Sequence, residues 1–386
     1  MKGRKMTVAL LPAEGGTWLV RLDARGYLVA ALHWADEGGP LEGFTTLGFA
    51  ALDASGRGEF RLPGGRCAPR EATHIAARLI TADYAQQETL LAPLPAETAA
   101  DPGLPRVTFG VMSDIHLVRD EKRLRQALQR VQGADCVLMA GDMTNDGRPE
   151  QFAQLLRVID EVLPATPVLA VTGNHDQPPA PLPMVFSGVE DYAHLQAHLL
   201  ARVSAMGVRC TADDSGAWRA EMRGVTVLGL NAVTHFRRFA FPEGLQLAWL
   251  TQQLQEPDAR RIILCHAPLR LHHPNRDDKQ PYLSRDAQLQ QLVDDAGRTL
   301  FISGHTHISF SDPVGCVDVD VPRRNVYLND ASVPPTTLRH AEPLVDRRWV
   351  DGAVTLLRVY ADGAEIDARM VSSGKRISRG YYRIPW

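Results

Sequence analysis

The sequence predicts a mixed α/β chain with a small all-β domain in front of it, and three observations carry that reading. Residues 1–92 read as short strands broken by turn signals. Four prolines then fall within residues 93–105. From Arg106 onward, apolar strands alternate with amphipathic helices. Strand–helix alternation of this kind builds βαβ units, whereas strands separated by tight turns without helical periodicity build a β-sandwich.

In the first region, Thr17 to Leu22, Glu59 to Leu62 and Thr73 to Thr81 are the clearest strands, punctuated by Asp53-Ala-Ser-Gly56 and Pro63-Gly-Gly65. No cluster of titratable residues appears there, so residues 1–92 are expected to be an accessory β-sandwich. Proline lacks an N–H and fixes φ, so residues 93–105 are expected to be a semi-rigid linker. Beyond it, buried strands are expected at Val107–Val111, Cys136–Ala140, Val168–Val171, Arg261–Leu264 and Leu300–Ile302. Helices are expected at 121–132, after Pro149, and near 189–206, 244–255 and 284–296. The tail alternates as strands over Asp318–Leu328, Ala353–Tyr360 and Glu365–Met370, and Ala361-Asp-Gly-Ala364 reads as a hairpin turn.

Composition narrows the function. The 386 residues carry 42 Lys and Arg against 45 Asp and Glu, a formal charge of −3, which argues against a polybasic nucleic-acid or membrane surface as the chain's main business. No apolar run is long enough for a membrane-spanning helix, and the run Met6–Leu11 after a basic start ends at Pro12, short of a signal sequence. The five cysteines (67, 136, 210, 265 and 316) are odd in number and form no CxxC. Reduced thiols in a cytoplasmic protein are the expectation.

Chemistry-bearing residues gather after the apolar strands. Asp114-Ile-His116, Gly141-Asp142, Gly173-Asn174-His175-Asp176, Cys265-His266 and Gly304-His305-Thr306-His307 each follow one of them. In an open α/β sheet the carboxyl ends of the strands are where ligands bind, so these groups can converge. Carboxylate, imidazole and amide donors without cysteine suit Mn, Fe, Zn or Ni better than Ca or Mg. With 31 Gly and 13 His in the chain, GHxH is expected by chance roughly 0.035 times, so the five clusters in order are a specific signal.

This pattern resembles the calcineurin-like metallophosphoesterases over about residues 106–310, and it is similar to their bacterial cyclic-nucleotide phosphodiesterase-like branch. The resemblance implies a four-layer α/β/β/α sandwich over 106–386, with C-terminal strands in 316–372 completing the second sheet. It implies two divalent or trivalent transition-metal ions, Mn, Fe or Zn. Asp114, His116 and His307 would hold the first, Asn174, His266 and His305 the second, and Asp142 would bridge them. A water between the ions would be the nucleophile, and His175, with Asn174, would meet the phosphate, His175 also protonating the leaving oxygen. Two divalent ions against two carboxylates leave about +2, which favours a phosphate. Asn145 stands where protein phosphatases carry the aspartate that orients this histidine, and where purple acid phosphatases carry a tyrosine ligand. An iron–tyrosinate centre is therefore not expected.

The expected function is metal-dependent hydrolysis of a small phosphate ester, foremost a phosphodiester. A broad phosphomonoesterase and a non-catalytic scaffold on the same fold are the alternatives. Side chains given weaker roles are His194 and His198 (solvated or packing), Cys265 (core), and Arg237, Arg238, Arg270 and Arg276 in loops after the site strands. Oligomeric state is not legible.

Overall fold

The computed structural model describes the chain apart from residues 1–5, 14–17, 63–67, 85–86, 95–102, 178–187, 236–237, 242–243, 257–258, 273–282, 284–285, 313 and 339–348. Two sheets form the body of residues 106–386. The first orders its six strands as Val168–Ala170, Cys136–Met139, Val107–Met112, Ala353–Val359, Gly363–Met370 and Arg376–Pro385. The second orders seven as Cys210–Ala212, Trp218–Met222, Val225–Leu230, Arg261–Cys265, Thr299–Ser303, Asn325–Asn329 and Val317–Asp320. In each, the strands that lead into the motif clusters are parallel neighbours.

Side-chain alternation sorts the strands into layers. Phe109, Val111 and Leu138 from the first sheet meet Trp218, Val227, Ile262, Leu264 and Ile302 from the second, forming the core between the sheets. The opposite face of the first sheet, through Met112, Val137, Met139 and Val168, packs on helices α1 (Lys122–Arg130), α2 (Pro149–Val162) and α3 (Gly188–Ala205). Leu228, Ile263 and Phe301 on the outer face of the second sheet pack on α4 (Leu245–Gln253) and α5 (Asp286–Ala296). The result is the expected α/β/β/α sandwich.

The tail differs from expectation. Among the described residues of the tail, only Val317–Asp320 and Asn325–Asn329 complete the second sheet, with a turn between them. Ala353–Val359 instead pairs antiparallel with Val107–Met112 and so extends the first sheet. Alternation fixes which residues of a strand face inward, but it does not say which sheet edge the strand joins. The strand Arg376–Pro385 lies beyond the expected 316–372, because its Arg- and Ser-rich face hides the period-two signal.

Residues before the linker form a three-stranded sheet (Thr7–Pro12, Trp18–Asp23, Arg57–Arg61) and a five-stranded one built on Val29–Asp36, His74–Ile80 and Gln87–Pro93. Val20, Leu22, Leu32, Trp34, Phe60, Ile75 and Leu79 fill the space between them. Pro93 belongs to this sheet as the register partner of His74, a correction to the linker boundary that is permitted because Gln87–Pro93 is the edge strand of its sheet. The two parts are joined at the last strand of the body. Arg376 N donates to Gly43 O (2.8 Å) and Thr45 N to Arg376 O (2.9 Å). Arg379 donates to Leu47 O (2.5 Å), Ser378 Oγ to Thr45 O, and Trp34 Nε1 to Ser378 O (3.4 Å).

Candidate metal centre

Each cluster sits where a buried parallel strand runs out. Asp114 and His116 follow Val107–Met112, Asp142 follows Cys136–Met139, and the Gly173–Asp176 loop follows Val168–Ala170. Across the cleft, His266 follows Arg261–Cys265, and His305 and His307 follow Thr299–Ser303. The first two loops are laced together: Asp114 N donates to Gly141 O, and His116 N to Asp142 O, both at 3.0 Å. Five of these residues take positive φ, namely Asp114 (50°), His116 (48°), Asp142 (50°), His305 (74°) and His307 (54°). Left-handed backbone is uncommon for non-glycine residues and persists where the surroundings over-determine it.

The glycines of the motifs have a packing reason. A Cβ on Gly173 would lie 2.2 Å from Asp142 Oδ1, and one on Gly304 would lie 1.8 Å from Ser113 Oγ and 2.6 Å from Asp114 Oδ2. Each lets the backbone come up against a carboxylate of the cluster.

The donors fall into two groups that share Asp142. In one, the ligand atoms of Asp114, His116, Asp142 and His307 lie within 4.8 Å of one another, and in the other those of Asp142, His266 and His305 do. His116 Nε2 is 3.0 Å from His307 Nε2, which is 3.1 Å from Asp114 Oδ1. In the second group His266 Nε2 is 3.3 Å from Asp142 Oδ2, and Asn174 Oδ1 lies 3.3 Å from that nitrogen and 3.0 Å from His305 Nδ1. All seven residues assigned from the sequence are thus brought together.

The charge states divide the donors. Burial outweighs the pull of Asp114 and Asp142 and holds His116 down to about 4. Burial, helped by charge on His266, holds His305 down to about 3, so both imidazoles are neutral near pH 7. Burial opposes ionisation of Asp114 and Asp142, yet the neighbouring histidines keep both carboxyls below their ordinary range. His266 is pushed up to about 9, because Asp142 and Asp114 overcome its burial. Two carboxylates, an amide oxygen and four imidazoles converge here, His305 Nε2 is buried without a hydrogen-bond partner, and a cation is the partner this donor set fits.

Supporting contacts fix the candidate donors. His266 Nδ1 donates to Ala140 O (2.7 Å), which aims its Nε2 at Asp142. Ser113 Oγ donates to Asp114 Oδ2 (2.6 Å), and the main-chain N of His305 to the same carboxylate oxygen (2.9 Å). Asp176 anchors the loops by accepting from Thr144 N (2.8 Å), Thr144 Oγ1 (2.9 Å), Gly173 N (2.9 Å) and Met143 N (3.2 Å). Burial and the charge of Asp142 raise its carboxyl to about 6 against those donors.

His175 N donates to Asp142 Oδ1 (2.7 Å), and its ring stands edge-on to His116 with centroids 4.5 Å apart. Its Nδ1 is 2.8 Å from the main-chain oxygen of Asn145, while the Asn145 side chain turns to Asp146 Oδ1 (3.0 Å). The orientation of His175 therefore comes from the backbone at Asn145, not from the side chain singled out in the sequence.

Phe239 is a site residue that motif reading missed. It is fully buried and packs on two of the donor histidines, perpendicular to His305 (centroids 5.0 Å) and tilted 67° to His266 (5.8 Å). Its only signal was an aromatic residue in a loop noted for its arginines. Of those arginines, Arg237 and Arg276 lie outside the described residues, as does the side chain of Arg238. The main-chain N of Arg270 meets Asp286 at the start of α5 (2.9 Å). His194 and His198 are exposed on α3, and Cys265 is buried with its thiol pushed up to about 12 by desolvation.

An α/β/β/α sandwich with this donor set at its strand ends defines a metal-dependent hydrolase of phosphate esters. The family profile described as calcineurin-like phosphoesterase matches residues 107–309, more than half of the chain, and the chain belongs to that family. A probable cyclic nucleotide phosphodiesterase of Synechococcus is 23% identical over 216 residues, covering 53% of this chain and 74% of that protein. A second, from Rhodococcus erythropolis, is 24% identical over 242 residues (58% and 72%). Among solved structures, a purple acid phosphatase from yellow lupin covers 98% of this chain and 74% of its own at 11% identity, with a TM-score of 0.49. No helix among the described residues is long and apolar enough to cross a membrane.

Proposed function

We propose that the chain is a binuclear metal-dependent phosphodiesterase. The observation that carries this reading is the sharing of Asp142 between two ligand groups, one completed by Asp114, His116 and His307 and the other by Asn174, His266 and His305. When bound, the ions, Mn, Fe or Zn by donor type, supply positive charge for the phosphate and acidify water near neutral pH. The chain's own residues do the rest. Asp142 accepts from His175 N and so locks the Gly173–Asp176 loop against the second group. The Asn145 carbonyl can only accept, so His175 Nδ1 carries a hydrogen, and Nε2 is the nitrogen left to face substrate. In this reading Nε2 gives its proton to the departing oxygen as the P–O bond breaks.

A diester is favoured over a monoester on two grounds. A carbonyl stabilises an imidazolium less than a carboxylate does, which suits a substrate with one phosphate charge. Two distant relatives also carry the name of cyclic nucleotide phosphodiesterases. Residues 1–92 act as an accessory unit in this scheme and residues 106–386 as the catalytic one. Turnover of a nitrophenyl phosphodiester, 3′,5′-cyclic nucleotides, a glycerophosphodiester and nitrophenyl phosphate, each with added Mn, Fe or Zn, tests the proposal. Preference for the monoester would replace phosphodiesterase with phosphomonoesterase, and inertness toward all four would leave a scaffold.

A further inference from the structure

The second donor group draws on both sheets. Asp142 and Asn174 follow strands of the first sheet, whereas His266 and His305 follow strands of the second, so the group is whole only while the two sheet ends keep a fixed separation. Asn231 lies where that separation is set. It follows the strand Val225–Leu230 of the second sheet, is buried, and reaches across to the first. Its Oδ1 accepts from Thr172 N (2.9 Å), two residues before Asn174, and from the Tyr192 hydroxyl of α3 (3.0 Å). Its Nδ2 donates to Gly216 O (2.6 Å) and Gln196 Oε1 (2.7 Å). An amide offers two lone pairs and two N–H groups, so all four are used and the side chain is held in one orientation.

The far end of the Asn174 loop hangs on the next residue. Gln177 Nε2 donates to Ala232 O (2.9 Å) and to Thr172 Oγ1 (3.3 Å), so residues 172–177 meet the second sheet at both ends, through Asn231 and Ala232. Asn231 is itself held by Gln246 of α4, which accepts from its N (2.8 Å) and donates to its O (2.9 Å). The same two residues lead directly into the hairpin whose Phe239 packs on His266 and His305. Thr172, Gln177, Tyr192, Gln196, Asn231 and Gln246 also border a cavity of about 440 Å³. With open space beside them, hydrogen bonds must supply the rigidity that close packing does not. The first donor group is built otherwise. Asp114, His116 and Asp142 come from one sheet, and His307 is tied through its carbonyl to Thr336 Oγ1 (3.0 Å).

We propose that Asn231 is a positioning residue for the second donor group alone: by hanging the Asn174 loop on the sheet that carries His266 and His305, it sets the affinity for the ion those residues would hold. The inference rests on the two-ion reading above. The test loads the full chain with Mn, challenges it with graded chelator and counts bound ion by elemental analysis. Wild type should keep two ions per chain. Asn231→Ala should release one of them at about 10–100-fold lower chelator, the usual effect of removing an outer support, and hold the other as wild type does. Gln177→Ala, which removes the loop's other tie, should loosen the same ion and carries the test by itself if Asn231→Ala does not fold. The double variant His116→Ala/Asn231→Ala identifies the ion, because it should hold none where each single variant holds one. Release of both ions together by Asn231→Ala or Gln177→Ala, retention of both, or a double variant that still holds one would overturn the inference. A wild type that binds a single ion would instead overturn the two-ion reading beneath it.

Discussion

His175 Nδ1 donates to the main-chain oxygen of Asn145 across 2.8 Å, and the Asn145 side chain takes no part in that contact. Asn145→Ala should therefore leave kcat/KM within about twofold of wild type, as for a surface change. A loss of tenfold or more would show that the side chain orients the imidazole after all.

The same contact sets what removal of the ring should do. His175→Ala should cost about 10²–10⁴-fold on a diester with an alkoxide leaving group and far less on a nitrophenyl diester, which leaves without a proton. Metal content should be unchanged. Equal losses on the two substrates would assign His175 to phosphate binding alone.

Asp142 belongs to both donor groups and His116 to one. Elemental analysis should find Asp142→Ala depleted of both ions, whereas His116→Ala should retain about one. One tightly held ion in fully active wild type would end the binuclear reading.

Phe239→Ala should lower stability by about 3–5 kcal/mol, the range for emptying an aromatic core site. It should also speed chelator stripping from His266 and His305, because the ring contacts both. Phe239→Leu should restore most of the stability. A stripping rate that does not change with Phe239→Ala would confine the residue to packing.

Asp367 gives a pH-dependent term away from the metal centre. It is buried between Arg369 (2.9 Å), Arg376 (3.0 Å) and Arg358 (3.1 Å). Burial opposes its charge, but the three guanidiniums win and depress its folded-state value. Its contribution is thus complete above the unfolded value near 4 and fades as pH falls through the lower folded one. Asp367→Asn should cost about 3–5 kcal/mol at neutral pH, as for a broken buried ion pair. Melting curves should show the gap from wild type closing only below about pH 4. A gap constant down to pH 2 would mean the loss is steric.

Much of this was legible in the sequence, for a definite reason. Parallel strands are apolar runs that end at the ligand-binding edge, so Asp114, Asp142, Asn174, His266 and His305 announce themselves by following such runs. What the residues do not announce is backbone geometry. Asn145 is an ordinary loop asparagine until its carbonyl is seen against His175, and the left-handed φ of Asp114 and His307 has no residue-type signature. Phe239 reads as one more apolar residue, since its use depends on a hairpin folding over the second sheet. Arg376, Ser378 and Arg379 carry no signal of their own, because the acceptors that make them structural lie more than 300 residues earlier.

The pairing of Val107–Met112 with Ala353–Val359 has a consequence for synthesis. The inner strand of the first sheet leaves the ribosome about 240 residues ahead of its antiparallel neighbour, which at typical translation speed is a wait of roughly 10–50 s. Throughout that interval its edge is an open template of N–H and C=O groups beside the donors of Asp114 and His116. Nascent chains paused or cut within that window should be hungry for chaperones and for each other, and slower elongation there would lower soluble yield even where every residue is wild type.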